Sequence, residues 1–393
     1  MVSNWMHATG QPEVRLTAGL VCELVERIVS APRRLFGGGW AVLAEPGTVH
    51  RPAGGLLVLD EDLAVVGRFP VPEDIFTKSE SSKGWPWYWV DIAFPECRFD
   101  VSPDRKFAVF AGIDRIVVVD RDGGVRWQVR HPVRFSTACE DDDIPRPSCA
   151  VFSADGAVLW TFVPAEEAGG GNPAVERWHI DVASWHITMR AVTQYGLDTN
   201  VLVHRDGRHA GYGFVEHFVV DSGEPDGHWV RWADDGTEEV VISDKFTPVD
   251  IHPDGEPWLA ISGDDHALCI GDFQGGPVRE ILPLAGVEDD DWEVYEDAID
   301  ELLAACLLSR DLALTCLYDN NLEGVEATMQ VIFGTNPPQR RGIVCYPPNS
   351  EVPTDGQELD SVVVRSAGDG TWLTFAPVRG VGLLKRWHFR DPV

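Results

Sequence analysis

The sequence predicts an all-β chain assembled from one four-stranded antiparallel unit used repeatedly, and three observations predict it. The first is a recurring stretch of apolar residues that runs into a polar turn carrying Asp: FDVSPDRKFAVF (99–110), AVFSADGAVLW (150–160), VLVHRDGRHAGY (201–212) and VDIHPDGEPWLAI (249–261). Weaker copies are CLLSRDLALTCL (306–317) and VVVRSAGDGTWLTF (362–375). The second is the spacing of the turn aspartates, Asp104, Asp155, Asp206, Asp254, Asp311 and Asp369, which stand 51, 51, 48, 57 and 58 residues apart. The third is an interleaved pattern, an alternating strand that ends in Asp before another turn, at Asp60, Asp120, Asp181, Asp221 and Asp272. Asp, Gly and Pro between alternating apolar runs are hairpin chemistry.

Each unit therefore reads strand, tight turn, strand, connection, strand, tight turn, strand. Four antiparallel strands at a period of about 50 residues are what one blade of a β-propeller needs. Six units carry the first turn, and an opening unit around Asp60 carries only the second, which gives seven blades in a single domain over 1–393. Their expected bounds are 19–69, 86–130, 148–190, 196–241, 248–283, 303–347 and 360–393. An open end would leave a bare strand edge, so the ring has to close. The last unit has room for three strands, and PEVRLTA (12–18) supplies the fourth. A short helix is expected near 17–30, where Leu20, Val21, Leu24, Val25 and Ile28 share a helical face behind Thr17 as N-cap. EDAIDELLAACLL (296–308) reads equally as helix or inner strand.

On the VSPD, HPDG and IDVASW stretches, the chain resembles seven-bladed propellers of the WD40-like kind over nearly its whole length. The Gly-His and Trp-Asp dipeptides of standard WD40 repeats are missing, so that family's hydrogen-bond network is not implied.

The totals bound the partners. With 32 Lys and Arg against 63 Asp and Glu, the net charge is −31. Such a field repels nucleic acid and anionic membrane surfaces and favours basic partners, cations or plain solubility. No basic-then-apolar leader opens the chain and no apolar run reaches about 18 residues, so a soluble, cytoplasmic protein is expected. The eight cysteines form no CxxC pair and read as reduced thiols.

The turns inside each unit are short, whereas the crossovers between units, roughly 70–95, 131–148, 283–302 and 347–360, are long. So is the inner connection PAEEAGGGNPAVE (164–176). Long loops confined to one face of a disc point to function there. GWPWYW (84–89) brings Trp85, Trp87, Tyr88 and Trp89, either as a core plug between blades or as an aromatic wall at the channel mouth. The other crossovers bring Asp141, Asp142 and Asp143, and then Asp290, Asp291, Trp292, Glu293 and Tyr295. Carboxylates beside aromatic faces suit a cationic ligand through ion pairing and cation–π contact. The reading is a non-catalytic recognition or scaffold module that binds a basic peptide or protein and needs no cofactor.

The alternative is an enzyme. No GxSxG, HExxH, P-loop or EF-type calcium loop is present. Some propellers hold a divalent cation such as Ca²⁺ in the channel and hydrolyse lactones or esters there. Asp198, Asn200, Asp250, Asp297, Asp300 and Asp360, near inner-strand entries of several blades, are the candidate ligands for that reading.

Overall fold

The computed structural model describes residues 14–24, 26, 28–44, 55–73, 75, 98–132, 134–135, 145–146, 148–164, 175–193, 199–204, 209–214, 228–232, 237–242, 246–262, 267–273, 277–283, 302–319, 327–336, 338–347, 362–375 and 382–390. Among them every regular element is a strand, and no helix is long and apolar enough to cross a membrane.

Strand β1 (Arg15–Glu23) is followed by five separate four-stranded antiparallel blades. Blade 1 holds β2 (Arg33–Arg34), β3 (Trp40–Leu43), β4 (Gly55–Leu59) and β5 (Val65–Pro70). Blade 2 holds β6 (Phe99–Val101), β7 (Phe107–Ala111), β8 (Arg115–Asp120) and β9 (Val125–Arg130). A two-stranded pair, β10 (Arg134–Phe135) and β11 (Pro145–Arg146), interrupts the crossover that follows. Blade 3 holds β12 (Cys149–Phe152), β13 (Val158–Pro164), β14 (Val175–Asp181) and β15 (His186–Thr193). Blade 4 holds β16 (Thr199–Val203), β17 (His209–Phe214), β18 (His228–Trp232) and β19 (Glu238–Ile242). Blade 5 holds β20 (Phe246–Ile251), β21 (Trp258–Ser262), β22 (Ala267–Gly271) and β23 (Arg279–Pro283). The remaining strands are β24 (Leu302–Ser309), β25 (Leu312–Asp319), β26 (Ala327–Thr335), β27 (Pro338–Cys345), β28 (Val363–Ser366), β29 (Trp372–Phe375) and β30 (Leu384–Phe389). With β1 they form one eight-stranded sheet in the order β24-β25-β26-β27-β1-β30-β29-β28.

The fold is thus an all-β propeller of four-stranded antiparallel blades. The blade count differs from the seven expected, because five blades stand as separate sheets and the rest is the eight-stranded one. Three further expectations are corrected. The helix near 17–30 is absent: residues 15–23 are extended and pair with β30, Ala18 opposite Phe389 and Leu20 opposite Trp387. The apolar spacing there fits a helix, but the ladder offered by β30 satisfies the same backbone groups and buries Ala18, so tertiary pairing overrides the local pattern. The closing strand accordingly spans 15–23 rather than 12–18. Residues 302–308 of the second ambiguous stretch are strand. In blade 4 the third strand is His228–Trp232, so Asp221 does not end it and lies outside the described residues.

Period-two alternation explains the continuous apolar runs. On β7, Ala108 and Phe110 face blade 1, while Val109 and Ala111 face blade 3. A strand buried on both faces needs apolar residues at every position. Among the described residues, apolar clusters join blades 1 and 2, 2 and 3, 3 and 4, 4 and 5, and blade 5 to β24–β26. One further cluster joins β24–β27 to β28–β30 and β1, and another joins β28–β30 back to blade 1.

The tight turns are built by their own side chains. Ser102 Oγ donates to Asp104 Oδ1 at 2.8 Å and accepts the Phe107 N–H at 3.0 Å. Ser153 and Asp155 repeat the arrangement, and His252 stands in the serine's place before Asp254, its Nδ1 accepting the Asp254 N–H at 3.2 Å. Asp60 and Asp120 each take two backbone N–H groups of the turn they open. Between blades 4 and 5, the fully buried Trp229 and Trp258 stack with centroids 5.4 Å apart. A Cβ on Gly271 would lie 2.2 Å from the Trp258 ring. Replacing Gly271 by Ala therefore forces the indole off its rotamer, and we expect a loss of about 1–3 kcal/mol in urea unfolding with the m-value unchanged.

Candidate functional site

Three charged side chains on first strands, Arg33, Asp100 and Asp250, reach a partner in a neighbouring sheet. Asp100, on β6, is buried; its Oδ1 accepts from Arg33 Nε of blade 1 at 3.0 Å and its Oδ2 accepts the Phe152 N–H of blade 3 at 2.8 Å. One carboxylate thus ties three consecutive blades. Burial pushes its carboxyl above the usual carboxylate value, while Arg33 and the Phe152 N–H pull it back down. Asp250 holds the same place in its repeat, four residues before the turn aspartate, and its Oδ2 accepts the Leu307 N–H of β24 at 2.8 Å.

Arg34 lies beside this row. Its guanidinium donates to the Ala367 carbonyl, pairs with Glu61 at 3.5 Å and sits 5.1 Å over the Trp40 ring. The turns between first and second strands touch one another across blades. A Cβ on Gly37 would lie 2.5 Å from the Pro103 carbonyl oxygen, and one on Gly368 would lie 2.7 Å from the Pro253 ring. Arg105 Nη2 donates to the Gly38 carbonyl at 3.1 Å, and the His204 ring meets the Gly255 carbonyl. All of these turns therefore share one face of the disc. Because the strands of each blade alternate in direction, the crossovers and the connections between second and third strands leave from the opposite face.

The sequence-predicted residues divide as follows. Trp85, Trp87, Tyr88, Trp89, Asp141, Asp142, Asp143, Asp290, Asp291, Trp292, Glu293 and Tyr295 lie outside the described residues, as do Asp198, Asp297, Asp300 and Asp360. Asn200 falls on β16, with its backbone opposite Gly213. Asp250 alone of the candidate metal ligands has a described side chain, and it ties blade 5 to β24 of the eight-stranded sheet. Among the described residues, no three His, Cys, Asp or Glu side chains come together as a group able to hold a metal. What is described is where the loops are anchored: Pro70 and Phe99, Arg130 and Cys149, and Pro283 and Leu302 are the strand ends that flank the three aromatic or acidic crossovers. In the second crossover, Phe135 pairs with Pro145, so a strand pair bounds the acids at 140–143.

Asp100 was legible as a carboxylate between the apolar Phe99 and Val101 of its strand, whereas Arg33 stands in a strand of two arginines. A second missed feature is the seam between blades 3 and 4. There the buried Arg177 lies 4.5 Å over the Trp232 ring, Trp160 and Trp232 stand 5.2 Å apart, and the His179 ring lies 6.2 Å from Trp232. Burial, with Arg177 beside it, lowers the His179 pKa to about 4. His131 and His252 are lowered as well, in both cases chiefly by burial.

No family model and no curated protein matches this sequence. Among solved structures, the chain is similar to the β-propeller domain of the trilobed protease from Pyrococcus furiosus, at 14% identity and a TM-score of 0.48, over 93% of this chain and 100% of that one. It is similar to the β-propeller domain of Myceliophteria thermophila Cps50 (Swd1) at 12% identity and a TM-score of 0.48, over 94% and 99% of the two chains. The acylaminoacyl peptidase of Pyrococcus horikoshii gives 13% identity and a TM-score of 0.48 over 93% of this chain, which spans 53% of that peptidase.

Two outcomes follow from the buried charges. Asp100→Ala strands the Arg33 guanidinium and the Phe152 N–H, so urea unfolding at neutral pH should report a loss of about 3–5 kcal/mol, with Asp100→Asn losing less. His179 has a folded pKa of about 4 against 6.5 for a free histidine, so the unfolded chain binds the proton more tightly. Stability is then lost as pH falls from 6.5 towards 4, and His179→Phe should flatten part of that decline in urea midpoints measured across the interval.

Proposed function

We propose that the eight-stranded sheet is two further blades, and that the chain is a seven-bladed propeller closed in the WD40-like manner by its N-terminal strand. The apolar clusters support this count. They join every consecutive pair of blades, with β24–β27 and β28–β30 plus β1 as the sixth and seventh, and they return from the seventh to the first.

On this ring we read a recognition and scaffold module, without catalysis, whose crossover face binds a basic or cationic peptide or protein. The observation that carries the reading is the common face. The short turns occupy one side of the disc, where Asp60, Asp120 and Asp155 accept backbone N–H groups of their own turns, while the strand ends from which the chain continues into the aromatic and acidic crossovers, Pro70, Arg130 and Pro283, lie at the other. We read the carboxylates and aromatic rings of those crossovers as the groups that take up a cation. The competing channel hydrolase has one described carboxylate in its favour, Asp250, and that carboxylate accepts the Leu307 N–H.

Titration with a lysine-rich peptide by calorimetry tests the reading. Binding at low ionic strength should fade at about 0.5 M salt, where the Debye length falls to ~4 Å. Replacing Trp87 and Trp89 together by Ala should abolish the binding and leave the thermal midpoint in place. A collapse of the fold instead would make the aromatic stretch core, and salt-independent stabilisation by Ca²⁺ alone would favour the hydrolase.

A further inference from the structure

Strand β1 changes host along its length. Its first part runs parallel to β27, with Arg15, Leu16 and Thr17 opposite Ile343, Val344 and Cys345. Its second part runs antiparallel to β30, with Ala18, Gly19 and Leu20 opposite Phe389, His388 and Trp387 and Glu23 opposite Lys385. The Ile343 N–H donates to the Val14 carbonyl at 3.0 Å and the Arg390 N–H to the Thr17 carbonyl at 3.1 Å. Among the described residues this is the one seam where a backbone ladder joins two four-stranded units; the others are joined mainly by side chains.

The slot is cut for a strand of small cross-section. A Cβ on Gly342 would lie 2.5 Å from the Val14 carbonyl oxygen, and one on Gly19 would lie 2.6 Å from the His388 ring. Yet the side chains hold β1 lightly. Leu16, Ala18 and Gly19 are buried, while Arg15, Thr17, Leu20, Val21 and Glu23 are exposed, Leu20 and Val21 by 46% and 45%. The inner strands, by contrast, bury nearly every residue. Elements with few buried apolar contacts and exposed hydrogen bonds open at a fraction of the global unfolding free energy.

We infer that residues 14–23 are a releasable strap, which detaches as a unit while the blades stay folded and bares a slot for one extended peptide strand. The inference rests on the closed-ring reading. Release uncovers the edge of β27 at Ile343–Cys345 and that of β30 at Lys385–Phe389, and unpaired strand edges accept an extended segment by main-chain pairing. The slot's own occupant defines the pattern that fits: a leucine, then two residues on an alanine-glycine pair, with polar or exposed positions around them.

The test is hydrogen exchange on the full chain, with Thr17→Cys as a lock onto the native Cys345 opposite it. Directly paired residues stand within disulfide reach. Amides of residues 15–23, 343–345 and 385–389 should exchange together, at least about tenfold faster than those of β29, and oxidising the lock should slow that group alone. A synthetic peptide of residues 14–23 in excess should bind the wild-type chain and not the locked one. If the lock forms and the strap's amides were already as protected as β29, release is refuted. If the Thr17→Cys thiol and Cys345 fail to bridge in the native protein, the register itself is wrong and the closed-ring reading falls.

Discussion

Each blade has to bury both of its faces, and the rest of the architecture follows from that constraint. A strand such as β7 sends Phe110 one way and Val109 the other, and both are fully buried. At roughly 25 cal/mol per Å² of apolar surface, no sheet of this composition is stable with one face in water. A linear stack of such sheets would always leave two bare faces, one at each end. The cluster that sets Trp40 and Val42 against Leu373 and Phe375 removes them by bringing the last strands onto the first blade.

Apolar contact is non-directional, so something else has to fix how far each blade slides and tilts against the next. The polar groups placed inside the seams do this. Asp100 reaches two neighbours at once, and Asp250 takes a main-chain N–H of the adjacent first strand. In the seam crossed by β1, the Trp372 indole donates to Tyr346 Oη at 2.7 Å, and that hydroxyl in turn donates to Gln330 Oε1. Each of these bonds has a fixed direction and lies in a low-dielectric interior, where a misaligned partner costs more than it does in water. The tryptophans press on bare glycines for the same reason, since a flat indole fits only where no Cβ stands.

The strand–turn–strand repeat was legible in the sequence because turn chemistry is local. An Asp or Ser that saturates its own turn needs no tertiary partner to announce it, and Asp60, Asp104, Asp120, Asp155 and Asp181 all do so. Residues 17–30 were misread because their apolar spacing is a helical one, and the competing host strand lies more than 360 residues away, invisible to any local window. Asp221 was misread for a related reason: an alternating run ending in Asp looks like a third strand whether or not the blade uses it. Of the candidate site, the sequence revealed which loops are long, acidic and aromatic, and the described strands supply the common face from which they leave. The tie made by Asp100 went unread although it stands in plain view, because a lone carboxylate in a strand does not declare which blades it will meet.

The pairing of β1 with β30 also sets a clock. Residues near 20 leave the ribosome well before their partners near 387. At about 5–20 residues per second, the opening strand waits tens of seconds before its host exists. Through that interval the earlier blades can form pairwise, but the face of blade 1 that will meet Leu373 and Phe375 stays uncovered. Contacts so distant along the chain also make closure the slow step of refolding, since loop-closure entropy is met before those contacts repay it. That face of blade 1 is therefore open to aggregation until the strands around Leu373 and Leu384 have emerged and covered it.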